Sequence, residues 1–353
     1  MSPLNPTTAN PVLVETWRGD TVESYHRGAL AVVDADGKLL ASLGDTDRPI
    51  FPRSAVKALQ ALPLVASGAA DAFGLPDQAL AMACASHGGE PAHTQRVAAT
   101  LAAAGLAAET LECGAHWPAD EATLHALLRA GAGRSSLHNN CSGKHAGFLC
   151  LGCLLAGQSD PRAFLRGYVQ PEHPVMREVT AALQAATGFD PTSAPRGIDG
   201  CSIPTFGIAL RRLALAFARF GSGVGLSAEH ARAAQRLRLA VAGAPFYVAG
   251  SNRFDTRVME RLGARVFCKV GAEGVYCAAF PERGLGVALK IDDGGYSRAA
   301  DVAIAALIES AVALDDDETR FMHQFSNKAL SNWNGIAVGR VAAAKALRGL
   351  TLR

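Results

Sequence analysis

Runs with strand character lie near the two ends of this 353-residue chain, and helical spacing fills the middle. Close to the start, Ala29 to Asp34 and Lys38 to Leu43 are short apolar runs joined by Ala35-Asp36-Gly37, a turn sequence suited to a hairpin. Late in the chain, Arg265 to Lys269, Gly274 to Phe280 and Gly286 to Ile291 are three more such runs, separated by turn residues. Between these ends, Pro76 to Ala83, Ala92 to Ala104, Asp120 to Ala130, Gly143 to Ala156, Pro174 to Ala186, Phe206 to Phe220 and Ala228 to Ala242 carry Ala- and Leu-rich helical spacing. Asp255 to Leu262 and Arg298 to Ala313 flank the late strands in the same way. A doubly wound sheet needs strands between its helices, and that alternation is missing, as is the glycine fingerprint of a nucleotide fold. The pattern predicts an α/β protein of the α+β type, with an antiparallel sheet assembled from both chain ends and packed with helices. One domain over residues 1–353 is expected, with a helical insertion lobe at about 75–262.

Composition narrows what such a fold is used for. Hydrophobic residues make up 49% of the chain and charged residues 19%, enough for a large buried core and too apolar for extensive disorder. A net charge of +2, with Lys and Arg scattered, offers no electrostatic footprint for nucleic acid. The longest apolar stretch, Phe148 to Gly157, is too short to cross a bilayer, so no membrane partner is expected. The opening MSPLNPTTANP has neither a basic n-region nor an apolar core, so a cytoplasmic protein is expected. In that setting eight cysteines read as reduced thiols or metal ligands. Cys150 and Cys153 form a C-x-x-C inside an apolar helical run, where small thiols pack well and no redox context surrounds them.

Ser54-Ala55-Val56-Lys57 begins a helical pattern that continues through Leu59, Leu62 and Val65, with Pro63 expected to bend or shorten it. At i and i+3 a serine and a lysine share a helix face, which lets an uncharged amine activate the hydroxyl as a nucleophile. A free lysine, with a pKa of about 10.4, is cationic at neutral pH, so burial or a second cation must push its proton off. Lys269, in Cys268-Lys269-Val270-Gly271, is a candidate for that cation. An S-x-x-K followed much later by K-x-G resembles the layout of penicillin-recognising serine hydrolases.

Two further loops concentrate polar residues just ahead of helices, as loops that serve a site do. In Cys84-Ala85-Ser86-His87-Gly88-Gly89-Glu90, Ser86 is placed to relay protons beside Lys57 or Lys269, and His87 reads as an exposed turn residue. In Asn139-Asn140-Cys141-Ser142-Gly143-Lys144-His145 and Asp199-Gly200-Cys201, the thiols of Cys141 and Cys201 could hold Zn²⁺, with Lys144 or His145 adding a nitrogen and water a fourth ligand. The spacing matches no standard zinc motif, so two unrelated buried cysteines stand as the alternative.

With Arg53-Ser54-Ala55-Val56-Lys57 and Lys269-Val270-Gly271-Ala272-Glu273-Gly274, these motifs in this order resemble the Rhizobium-type L-asparaginases, the asparaginase II family, over nearly the whole chain. The resemblance implies a fold similar to serine β-lactamases and glutaminases, a single catalytic domain, a homodimer, and hydrolysis of L-asparagine to L-aspartate and ammonia. It implies Ser54 and Lys57 as nucleophile and base, Ser86 and Lys269 as a second Ser–Lys pair, and Cys141, Lys144 and Cys201 as ligands of one zinc per chain. A two-thiolate zinc is a poor Lewis acid, so its expected role is positioning. By charge, Asp199 suits the substrate α-ammonium and Arg53 its carboxylate, with His145 a further substrate-binding candidate. A glutaminase or another serine amidohydrolase on the same scaffold is the near alternative. A non-catalytic zinc-binding protein stapled by Cys141 and Cys201 is the distant one.

Overall fold

A computed structural model describes residues 9–295 and 298–352. Its main sheet has eight strands, all paired antiparallel: Val12–Arg18 (β1), Thr21–Asp34 (β2), Leu39–Leu43 (β3), Phe267–Val270 (β4), Val275–Phe280 (β5), Leu285–Ile291 (β6), Asn327–Ser331 (β7) and Ala337–Ala343 (β8). The spatial order is β7-β8-β1-β2-β6-β5-β4, with β3 also paired to β2. The two chain ends do build the sheet together, as the separation of strand and helix signals predicts. β2 is long enough to serve two neighbourhoods: Thr21 to Arg27 pairs with β1, while Gly28 to Asp34 pairs with β6. β1, the first half of β2 and the β7–β8 hairpin lie outside the runs with strand character in the sequence. These parts alternate or are exposed, and the half of β2 inside such a run, Ala29 to Val33, is the continuously buried one.

Helices supply the remaining layers. The predicted bend at Pro63 is a break at Ala61, which divides Lys57–Gln60 (α1) from Leu62–Ala66 (α2). Among the helices that follow, Asp77–Ala83 (α3), Ser142–Ala156 (α4), Leu210–Ser222 (α5), Phe254–Leu262 (α6) and Ala300–Ala311 (α7) carry or support the site. α5 lies directly on the sheet, burying Leu213, Phe217 and Phe220 on one face. Phe206 to Ala209, predicted as its first turn, instead forms short strands, because Gly207 breaks the helix spacing.

Two glycines decide how closely the site elements approach. A Cβ on Gly271 would lie 2.7 Å from the Pro52 carbonyl, so the glycine of Lys-x-Gly is what brings the end of β4 against the Ser54 turn. A Cβ on Gly143 would lie 2.5 Å from the Met82 carbonyl, so this glycine seats α4 against α3 and its Ser86 turn. None of the helices among the described residues is long and apolar enough to cross a membrane.

Candidate active site

Ser54 belongs to a short 3-10 turn, Arg53–Val56, that runs directly into α1. Arg53 enters that turn with φ of 51°, a left-handed conformation costly for a side-chain-bearing residue. Among the described residues, the other three non-glycine residues with positive φ are Ser202, Asn252 and Glu273. Arg53 and Glu273 line one cleft of about 460 Å³, Ser202 follows the cleft residue Cys201, and Asn252 precedes the cleft residue Arg253. Backbone strain among the described residues is thus concentrated at one place, where packing holds it for use.

Ser54, Ser86, Cys141, Asp199 and Cys201 also line that cleft, and the three lysines stand behind its wall, each no more than 2% exposed. Lys57 donates from Nζ to Ser86 Oγ at 3.0 Å, to the Ala85 carbonyl at 2.5 Å and to the Asn140 carbonyl at 3.3 Å. Lys269 Nζ reaches the same Ser86 Oγ at 2.9 Å and the Val270 carbonyl at 2.8 Å. Both amines therefore meet at Ser86. Ser54 makes no side-chain hydrogen bond among the described residues, and no Ser54–Lys57 bond forms because the deeper carbonyls hold the Lys57 amine. A serine oxygen accepts up to two hydrogen bonds but must give its own proton to an acceptor, here an uncharged amine. Burial, helped by the charges of Lys57 and Arg253 and opposed by Asp255, pushes Lys269 down to about 7.

The Ser86 turn is held from both sides. Ser86 N–H donates to the Val248 carbonyl at 2.8 Å and His87 N–H to the Asn140 carbonyl at 3.3 Å. His87, expected to be exposed, is 1% exposed because its ring is locked between two loops. Its Nδ1 accepts from Gly89 N–H at 3.1 Å, which leaves Nε2 to donate to Ser142 Oγ at 2.9 Å. Burial keeps this ring neutral by lowering its pKa well below the usual histidine value.

Cys141, Lys144 and Cys201 converge on the same wall. Lys144 Nζ lies 3.1 Å from Cys201 Sγ. A hydrogen bond from Cys201 lowers the pKa of the Cys141 thiol, and that of Cys201 is raised in turn by the same bond and by burial. Burial opposes the charge of Lys144, but Cys201, Cys141 and Asp199 outweigh it and raise its pKa. No cluster of three or more His, Cys, Asp or Glu able to hold a metal occurs among the described residues, so a metal here would need the lysine nitrogen. Two adjacent thiols and an amine fit a thiophilic ion, provided that ion displaces their protons. All eight cysteines are free, including Cys150 and Cys153 on α4.

Arg53 and Asp199, assigned separately to the two ends of an amino acid, are bonded to each other: Arg53 Nε donates to Asp199 Oδ1 at 2.7 Å. Asp199 Oδ1 also accepts from Gly200 N–H at 2.8 Å, leaving Oδ2 and the outer Arg53 nitrogens without a partner among the described residues. Burial opposes the Asp199 charge, and Lys144 and Arg53 more than compensate, so its pKa is lowered. His145 is not at the cleft wall. It is fully buried, with Nδ1 2.7 Å from the Tyr168 hydroxyl. Arg253, Glu273 and His116, to which the sequence assigns no role, also line the cleft. His116 Nε2 accepts the Asn140 N–H at 2.8 Å and so anchors the cysteine loop, a role with no local signature.

Among solved structures, a β-lactamase from Mycobacterium bovis is 17% identical over 80% of this chain and 93% of its own, with a TM-score of 0.36. A protein named Mglu, in its native form, is 16% identical over 87% of this chain and 70% of its own, with a TM-score of 0.37. Likenesses this low say nothing about chemistry. No curated protein matches the chain. The family model of L-asparaginase II, by contrast, matches residues 14–343, a span that contains every serine, lysine and cysteine of the cleft just described. The chain belongs to the L-asparaginase II family and is an asparaginase-type amidohydrolase.

Proposed function

We propose that the chain hydrolyses L-asparagine through a serine acyl-enzyme, with Ser54 as nucleophile and Ser86 as proton relay. The observation that carries this reading is the meeting of two buried lysine amines at one serine hydroxyl, at 3.0 and 2.9 Å, beside a second serine whose side chain makes no hydrogen bond among the described residues. Ser54 Oγ attacks the side-chain amide carbon and its proton passes to the uncharged Lys269 amine. Ser86 gives its proton to the departing nitrogen, is reprotonated by a flanking lysine, and ammonia leaves. Water then cleaves the ester and releases aspartate. The N–H groups of Ser54 and Ala272 make no backbone hydrogen bond among the described residues, which supports them as donors to the developing oxyanion. The free Asp199 Oδ2 suits the α-ammonium, and the outer nitrogens of Arg53 suit the α-carboxylate. His145 then acts indirectly, by fixing α4 through Tyr168.

Quenching turnover with acid and weighing tryptic peptides tests the pathway. An adduct heavier by an aspartyl group is expected on the Ser54 peptide, and the same adduct on the Ser86 peptide would reverse the two serines.

Cys141, Lys144 and Cys201 are proposed to hold one zinc ion. When bound, that ion would tie the two cysteine loops together and fix the Asp199 wall against the substrate. Cys201→Ser is expected to lose bound zinc by elemental analysis and to raise KM about tenfold or more, with kcat less affected. Wild-type zinc content in that variant would reject the ligand set. A homodimer in a reducing compartment completes the proposal. The free cysteines support the compartment, and sedimentation of the intact chain reports the oligomer.

A further inference from the structure

Asp255, on the first turn of α6, is 2% exposed and does not line the cleft. Its Oδ2 accepts Val270 N–H at 3.2 Å and lies 4.0 Å from Lys269 Nζ, while Oδ1 has no hydrogen-bond partner among the described residues. Burying a carboxylate with one oxygen unsatisfied is costly, and accepting a single N–H does not require a charge, because asparagine would do it more cheaply. What only the carboxylate supplies is a negative charge behind the amine that touches Ser86.

We propose that Asp255 is a positioning residue for the hydrolysis reaction, holding the proton on Lys269 so that the amine beside Ser86 is cationic when the leaving nitrogen must be protonated. The inference rests on the relay role proposed for Ser86. The charged surroundings of the pair make the role specific. Lys57 on α1 and Arg253 ahead of α6 both drive the proton off Lys269, and Cys141 at the start of α4 opposes them more weakly than Asp255 does. Asp255 itself faces Lys269, Arg253 and the Cys268 thiol, with Asp301 on α7 adding a second acid behind it. Burial raises the Asp255 pKa, and Lys269 and Arg253 pull it back. Asp301, pushed up to about 7 by burial and by Asp255, is mostly uncharged below that pH and so leaves the Asp255 charge to act on the lysine.

The test is the pH profile of kcat/KM in Asp255→Asn, which retains an acceptor for Val270 N–H and loses only the charge. An uncharged Lys269 is the resting form that takes up the serine proton, so activity is present above its pKa and lost as pH falls through it. Without the carboxylate, that acid limb is expected to move to lower pH by at least about one unit. KM should stay unchanged, and Asp255→Glu should return the limb toward its wild-type position. Asp255→Ser, equally neutral, reads the same limb if the asparagine variant folds poorly. A limb that stays in place in a folded, neutral variant overturns the proposal. Failure of the relay itself is read separately, as undiminished amide turnover in Ser86→Ala.

Discussion

Ser54→Ala is expected to lower kcat for asparagine by about 10⁴-fold or more, and to lower hydrolysis of an activated aryl ester of aspartate just as severely. The structure explains why the loss should be this complete. Ser54 is the cleft serine whose side chain has no hydrogen-bond partner among the described residues, and Gly271 draws the end of β4 against its turn. Ser86 cannot readily substitute, because its oxygen already receives two lysine amines and moving it would strand both. Removing one methylene-bound oxygen from a half-buried turn should barely change stability, so circular dichroism and the thermal midpoint serve as the control for folding. Substrate affinity should also survive, since Arg53 and Asp199 remain in place. A Ser54→Ala enzyme that is folded and hydrolyses asparagine within tenfold of wild type would reject Ser54 as nucleophile.

How far this site could be read in advance depended on whether each role leaves a local signature. Lys269-Val270-Gly271 was readable from its layout far behind Ser54-Ala55-Val56-Lys57, and the structure supplies the reason for its glycine by placing it against Pro52. The cysteine loops were readable because polar residues massed before a helix seldom serve packing alone. The joint pairing of Lys57 and Lys269 with Ser86 was not readable, because it depends on how far a four-carbon stem reaches once Ala85 and Asn140 present their carbonyls. His87 was misread for a related reason: its turn composition is polar, but its ring is enclosed by contacts from Gly89 and Ser142. Asp255 looked like an ordinary first-turn helix acid. Nothing in its neighbourhood along the chain shows that it packs behind a lysine fourteen residues later. On the scale of the fold, the separation of strand and helix signals gave the antiparallel sheet from both ends, while β1 escaped because Glu15, Thr16 and Arg18 interrupt its apolar run, and the β7–β8 hairpin because exposed residues dilute the apolar pattern.

Ser86→Ala separates the two serines by chemistry. An amide nitrogen cannot depart unless it is protonated, whereas an aryloxide leaves as a stable anion without help. If Ser86 delivers that proton, its loss should lower kcat for asparagine by about 10²- to 10⁴-fold, the usual contribution of a positioned general acid. Hydrolysis of the aryl ester should fall by much less, because Ser54 and the free N–H groups of Ser54 and Ala272 are untouched. The contrast with Ser54→Ala, which should remove both activities, makes the pair diagnostic even if both variants lose asparagine turnover. The residual activity should also respond to added small amines or carboxylic acids if the 460 Å³ cleft admits them to the vacated position. Equal losses on amide and ester would mean that Ser86 holds the lysines in place without carrying a proton, and the relay would have to be assigned to Lys57 or Lys269 acting directly on the substrate.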